Sequence, residues 1–255
     1  MKPKALIFSG YGLNCEEETK VALEIAGATA DIAHIEDVVK NPKMLGKYQI
    51  VIFPGGFSYG DDTGSGKAYG ARVKHHLGAE LRKFLERDTL MAGICNGFQI
   101  LTASGILPGA LIANDSARFI CRWVDLEVKG NSPWLTGLTK LSLPIAHGEG
   151  KYFDTEKNLD ALEKAGGIAL TYETGEMSLA QGLPGNPNGA LRNIAGITAY
   201  EGRVFGLMPH PERGAYFDQR PDWTVLRERF EKEGQKTPEF APGIDIFKNA
   251  VKYFA

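Results

Sequence analysis

The stretch Leu90-Met91-Ala92-Gly93-Ile94-Cys95-Asn96-Gly97-Phe98-Gln99 decides how this 255-residue chain is read. A short apolar run ends in Gly-x-Cys-x-Gly and passes into a helical pattern over residues 97–103, stopped by Gly105 and Pro108. This is the strand–turn–helix of a nucleophile elbow, with cysteine where serine commonly stands. On such a turn the residues two before and two after the nucleophile approach each other, so small Gly93 and Gly97 fit. Cys95 is then expected at a helix N-terminus, whose partial positive charge stabilises a thiolate. A buried cysteine followed by a Gly-rich turn accounts for the same residues, so the rest of the chain has to decide.

Outward from this stretch, strands and helices alternate. Apolar runs at residues 5–8, 29–35, 50–53 and 204–208 read as strands. Residues 67–87 have a helical period, with Val73, Leu77, Leu81, Phe84 and Leu85 on one side. A further helix is expected after Asn14, read as its N-cap, with Glu16, Glu17 and Glu18 in the first turn. Its apolar side is Val21, Leu23, Ile25 and Ala26, and Gly27 ends it. The β-α-β-α-β order predicts a single α/β domain over residues 1–255, with a mostly parallel central sheet flanked by helices. The middle is less regular. Residues 119–128, 141–146 and 168–172 alternate like half-buried strands, residues 155–165 read as a short helix, and 182–189 as a loop. A terminal helix is expected at 244–254. Residues 215–243 are polar, dotted with aromatics and broken by proline, an insertion or a partner-docking segment.

Two more strand ends carry chemistry. Val204-Phe205-Gly206-Leu207-Met208-Pro209-His210-Pro211-Glu212 places a histidine and a carboxylate two residues apart. In extended structure, which the prolines favour, both point to one side. Glu212 is therefore expected to hold one imidazole nitrogen and leave the other facing a nucleophile. Ile50-Val51-Ile52-Phe53-Pro54-Gly55-Gly56 ends in a glycine pair. By itself that is an ordinary tight turn; beside a nucleophile, N–H groups of Gly55 and Gly56 could join that of Asn96 in an oxyanion hole. His34 reads as structural, and His75 and His76 as solvated.

Two patterns are set aside. Gly64-Ser65-Gly66-Lys67-Ala68 suggests a phosphate loop, but Asp61 and Ala68 stand where that motif needs Gly and Ser or Thr. Asn114-Asp115-Ser116 matches a glycosylation acceptor, coincidental in a reducing compartment. Composition narrows the classes further. Lys and Arg number 29 against 31 Asp and Glu, a net charge of −2, which offers no electrostatic footprint for nucleic acid. The 3 cysteines are not a disulfide framework and have no metal-ligand spacing, so no metal is expected. No apolar run reaches the roughly 18 residues of a membrane span. Met1-Lys2-Pro3-Lys4 with the short run after it is too brief for a signal-peptide core, so a cytoplasmic location is expected.

Together, Gly93-Ile94-Cys95-Asn96-Gly97-Phe98-Gln99 and Pro209-His210-Pro211-Glu212 resemble the class I, triad-type glutamine amidotransferases. Within that family the resemblance is to the glutaminase subunits of phosphoribosylformylglycinamidine synthase. It is carried by Phe53-Pro54-Gly55-Gly56-Phe57-Ser58-Tyr59-Gly60-Asp61, Cys-Asn-Gly-Phe-Gln, Arg118-Phe119 with Arg122-Trp123, His147-Gly148-Glu149-Gly150, and Gly10-Tyr11-Gly12-Leu13-Asn14-Cys15-Glu16. The resemblance implies a flavodoxin-like sheet and hydrolysis of glutamine by a triad of Cys95, His210 and Glu212. It implies an oxyanion held near Gly55, Gly56 and Asn96, and a glutamine pocket drawing on Gln99, Arg118, Phe119, His147, Gly148 and Glu149. Ammonia would pass to a separate synthetase subunit, with a small third subunit in the complex. No cofactor is expected in this chain; ATP and Mg belong to the synthetase. One departure concerns Asp62-Thr63-Gly64-Ser65-Gly66-Lys67, where many relatives carry a more apolar stretch with an Arg.

Other readings share parts of the pattern. A triad glutaminase could serve another synthase, such as one of a histidine or pyridoxal pathway. A cysteine peptidase or stress-response hydrolase could use the same sheet, and a binding module could keep the fold without activity. Spacing alone supports only a Cys–His–Glu acyl-transfer enzyme.

Overall fold

The computed structural model describes residues 2–255; Met1, part of the N-terminal stretch read above, lies outside them. The strands are β1 (Lys4–Ser9), β2 (Thr29–His34), β3 (Ile50–Phe53), β4 (Leu90–Ile94), β5 (Ala110–Ile112), β6 (Ile120–Val128), β7 (Lys140–His147), β8 (Lys151–Phe153), β9 (Ile168–Glu173), β10 (Ile194–Ala199) and β11 (Val204–Leu207). The helices are α1 (Glu16–Ile25), α2 (Ile35–Lys40), α3 (Lys67–Glu86), α4 (Asn96–Ala103), α5 (Glu156–Lys164), α6 (Glu176–Gln181), α7 (Trp223–Lys232) and α8 (Ile244–Lys252). No helix among the described residues is long and apolar enough to cross a membrane.

A nine-stranded sheet runs in the order β2-β1-β3-β4-β11-β10-β9-β6-β7. Its first five strands are parallel to one another. From β11 onward every pairing is antiparallel. The division follows the residues. β3, β4 and β11 are buried at every position, as strands covered by helices on both faces must be. β7 alternates in burial over its first half and β6 is at most part-buried outside Val124–Leu126, in keeping with the half-buried reading of these two stretches. β5 and β8 form a separate two-stranded ribbon. The expected single α/β domain is present, and its parallel half carries the site.

Local differences from the sequence reading have identifiable causes. β10 offers no alternation because it is buried at nearly every position, and Gly196, at a register irregularity against β9, interrupts its apolar run. α2 is too short to show a period, and it ends β2 at His34. The His34 ring caps it, with Nδ1 accepting from the Glu36 N–H at 3.2 Å. α1 starts one residue later than predicted, with Cys15 rather than Asn14 as its N-cap. The N–H groups of Asn14 and Cys15 both donate to Gly55 O, at 3.1 and 3.2 Å, which holds Asn14 outside the helix. Val21 faces solvent, because the buried face of α1 follows Thr19, Ala22 and Leu23.

Residues 215–243 form an excursion closed at its base. Ala241 N donates to Ala215 O at 2.8 Å and Phe217 N to Glu239 O at 3.0 Å. At its far end α7 buries no residue, which explains the polar composition; Phe230 leans edge-on against Phe217 at 6.0 Å.

Candidate active site

The C-terminal ends of β3, β4 and β11 meet, as ligand-binding ends do in open α/β sheets. Cys95 follows β4 directly, with φ 52° and ψ −106°. A non-glycine residue held there stores about 1–3 kcal/mol of strain. The surrounding bonds enforce it: Cys95 N donates to Leu207 O at 2.7 Å, and Cys95 O accepts from Phe98 N and Gln99 N at 3.0 and 3.2 Å. A Cβ on Gly97 would stand 1.8 Å from Phe53 O, and one on Gly93 would stand 2.5 Å from Gly97 O. The elbow therefore requires glycine at both positions.

His210 follows β11. Its backbone N–H donates to Pro144 O at 2.8 Å, and its ring Nδ1 lies 2.6 Å from Glu212 Oε1. Both side chains are buried, and His210 Nε2 has no protein partner. The pair does not form in the extended geometry expected from the prolines. Pro211 is helical (φ −65°, ψ −29°) and starts a short turn over Glu212–Gly214, which swings Glu212 back to the ring. Burial pulls the imidazole down, but the negative charges of Glu212 and Cys95 outweigh it. His210 is held well above its usual 6.5.

A cleft of about 310 Å³ opens over these residues, lined by Cys95, His210, Gly56 and Ala146. Gly55 lies beneath the imidazole: a Cβ there would meet His210 Cε1 at 2.6 Å. Gly56, at φ +152°, pairs with Leu13. Asn96 is buried; its Oδ1 accepts from Ser58 N at 3.1 Å and its Nδ2 donates to Gln99 Oε1 at 2.7 Å.

Of the residues expected around glutamine, Phe119 lines the cleft, its ring packed against that of Phe57 at 6.0 Å. The others sit elsewhere. Gln99 is buried, its Nε2 donating to Glu149 O at 2.6 Å. Glu149 Oε2 accepts from Ser65 N at 3.0 Å, tying the unusual segment 62–67 to the segment 147–150. Gly148 O accepts from Asn114 N at 2.9 Å, and Arg118 is exposed. His147 is buried, with Nδ1 3.1 Å from Asn114 Oδ1 and Nε2 unpartnered. Burial and the nearby charge of His210 push its pKa down to about 3.

The sequence reading missed several residues. Cys15, Glu18, Cys121 and Arg213 all line the cleft. Glu18 and Cys15 arrive there because the start of α1 is pinned to Gly55 O, a long-range contact that no local pattern reveals. Arg213 directly follows Glu212 and was available to the eye. Asn114 is not a glycan acceptor here: its buried amide donates to Arg118 O and His147 O at 2.8 and 2.9 Å, and its Oδ1 accepts from Gly150 N at 3.0 Å. Donor atoms of Cys15, His210 and Glu212 lie within 4.8 Å of one another, but a cation there would compete with the bond between His210 and Glu212.

Known proteins resemble this chain along its whole length. The family model described as a CobB/CobQ-like glutamine amidotransferase domain matches residues 2–254. The chain is 44% identical over 265 residues to phosphoribosylformylglycinamidine synthase subunit PurQ of Methanococcus maripaludis, covering 99% of this chain and 97% of that one. It is 40% identical to the protein of the same name from Dehalococcoides mccartyi, covering 99% and 98%. Among solved structures, PurLQS from Thermotoga maritima contains a similar chain, with 33% identity, a TM-score of 0.74 and full coverage of both. The chain therefore belongs to the PurQ family of class I glutamine amidotransferases.

Proposed function

We propose that this chain is the glutaminase subunit of a phosphoribosylformylglycinamidine synthase, acting in cytoplasmic purine biosynthesis. The observation that carries the reading is the buried His210–Glu212 pair, 2.6 Å apart, opening into the same cleft as Cys95 on its strained elbow. Cys95 Sγ attacks the side-chain amide carbon of glutamine, and His210 Nε2 takes the thiol proton. The N–H groups of Gly56 and Asn96 hold the oxyanion, with Gly55 keeping the strand end close to the ring. The tetrahedral adduct collapses to a thioester as His210 returns the proton to the departing ammonia. Water, deprotonated by His210, then releases glutamate and restores the thiol. Glu212 stabilises the imidazolium throughout.

The cleft suits an amino-acid substrate. Glu18 and Arg213 bring opposite charges to its lining and are exposed, matching the ammonium and carboxylate of glutamine. Phe119 and Phe57, packed together, offer an apolar wall for the aliphatic stem. Gln99 and Glu149 act by bracing the elbow, and His147 and Gly148 by holding the Asn114 loop, through the bonds already described. Ammonia passes to a synthetase subunit that uses ATP and Mg to make formylglycinamidine ribonucleotide, with a small third subunit completing the complex.

The test is glutamine hydrolysis with and without the synthetase, formylglycinamide ribonucleotide and ATP–Mg. Stimulation of at least about tenfold, some 1.4 kcal/mol in the barrier, is expected on assembly. Hydrolysis that ignores the synthetase would point to a glutaminase of another pathway, and cleavage of peptides instead of glutamine to a cysteine hydrolase.

A further inference from the structure

Cys15 has no place in the triad, yet it is buried and lines the cleft of Cys95 and His210. Its sulfur lies within 4.8 Å of both a ring nitrogen of His210 and a carboxylate oxygen of Glu212. Three bonds fix the residue from outside. Its N–H donates to Gly55 O at 3.2 Å, and its carbonyl accepts from Thr19 N and Oγ1 at 3.1 and 2.7 Å. The thiol donates to Asn14 Oδ1 at 3.5 Å, which turns the sulfur lone pairs away from Asn14. The point where a Gly55 Cβ would stand is 3.2 Å from Cys15 Sγ and 2.6 Å from His210 Cε1. The sulfur and the Gly55 backbone thus bound the same edge of the imidazole.

That edge needs support. Glu212 holds His210 at Nδ1 alone, and one hydrogen bond still permits the ring to rock about its Cβ–Cγ bond. A shift near 1 Å between reacting groups can cost about a hundredfold in rate. We propose that Cys15 is a positioning residue for the reaction: its sulfur, with the Gly55 backbone, walls the imidazole so that Nε2 stays turned toward Cys95. This rests on the triad reading above. Burial, reinforced by the Glu212 charge, raises the Cys15 thiol, so it stays a neutral wall and does not compete as a nucleophile.

The experiment compares Cys15→Ala and Cys15→Ser in two assays. The first measures kcat and KM for glutamine in the complex with the synthetase. The second measures alkylation of Cys95 by iodoacetamide in the chain alone, followed on the Cys95 peptide by mass spectrometry. Cys15→Ala should lower kcat about tenfold, leave KM within about twofold, and slow Cys95 alkylation to a similar degree. Cys15→Ser, which keeps a donor for Asn14 and part of the bulk, should stay within about threefold of the parent in both assays. Parental rates in Cys15→Ala would overturn the proposal. Equal losses in both variants would overturn it as well, because an oxygen would then support the ring no better than a methyl. If the parent hydrolyses no glutamine while alkylation still slows in Cys15→Ala, the glutaminase reading fails and the positioning role stands.

Discussion

His210 and His147 make a natural pair for comparison. Each is buried to 2% exposure, each holds a side-chain oxygen at Nδ1, and each has an Nε2 without a protein partner. Burial pulls both imidazoles toward the neutral form. They nevertheless move in opposite directions, His210 well above 6.5 and His147 down to about 3. The difference lies in the oxygen. Glu212 supplies a carboxylate, whose charge in a low-dielectric site compensates the imidazolium. Asn114 supplies an amide, and its Oδ1 also accepts from Gly150 N, so it can only receive the Nδ1 proton and leaves the ring neutral. One site is built to cycle a proton, the other to stay uncharged and hold loops together.

The largest effect should come from Cys95→Ala. It removes the group that the His210 environment serves and has no counterpart beside His147. Glutamine hydrolysis by the complex should fall at least about a thousandfold, as when a nucleophile is deleted from a comparable triad. The melting temperature should hold, since the sulfur makes only one weak polar contact, to Ala146 O at 3.8 Å. Retention of parental hydrolysis would remove Cys95 from the mechanism.

Glu212→Gln makes the His210 site resemble the His147 site by a single exchange of carboxylate for amide. The His210 pKa should then fall, and hydrolysis should drop by about 10²–10⁴-fold, the range seen when the orienting acid of a triad loses its charge. Imidazole NMR titration and the pH profile of kcat report the two effects separately. If the His210 titration stays where it was, the charge of Glu212 is not what separates the two histidines.

The parts of this site that were legible in the sequence are those that local sterics impose. Gly93 had to be glycine whatever surrounded the elbow, because its Cβ would meet Gly97 O within the same turn; Gly97 was readable from the same motif, although its Cβ would meet Phe53 O of β3. His210 and Glu212 were readable as partners because they are two residues apart, although a helical Pro211, not an extended strand, joins them. Cys15 and Glu18 were not readable as cleft residues, because the bonds to Gly55 O bring them in from 40 positions away. Gln99 shows a different limit. A polar residue one turn into the helix after a nucleophile looks aimed at a substrate, yet its amide spans Asn96 and Glu149. Alternation in the middle of the chain marked β6, β7 and β9 as strands but carried no strand direction, so the antiparallel half of the sheet emerges only from the pairing.

The smallest effect is on stability, and it distinguishes the two histidines by sign. For His147 the folded pKa of about 3 lies below the unfolded value near 6.5, so the unfolded chain binds the proton first. Its contribution is fully present above pH 6.5 and is lost as pH falls toward 3, at up to about 1.4 kcal/mol per unit. For His210 the folded pKa is raised, so its contribution is fully present below 6.5 and is lost only as pH rises through the folded value. Between pH 4.5 and 6.5 the slope due to these two residues therefore belongs to His147. Asn114→Asp places a carboxylate beside His147 and should raise its pKa, making that site resemble the His210 site. At pH 7 the variant loses the amide donors to Arg118 O and His147 O, at a cost of about 1–3 kcal/mol. In urea unfolding at pH 7 and pH 4.5, the gap between variant and parent should narrow at the lower pH, because the parent alone pays for protonating His147. A gap equal at both values would mean that the amide at position 114 does not keep His147 neutral, and its low pKa would then rest on burial and the charge of His210.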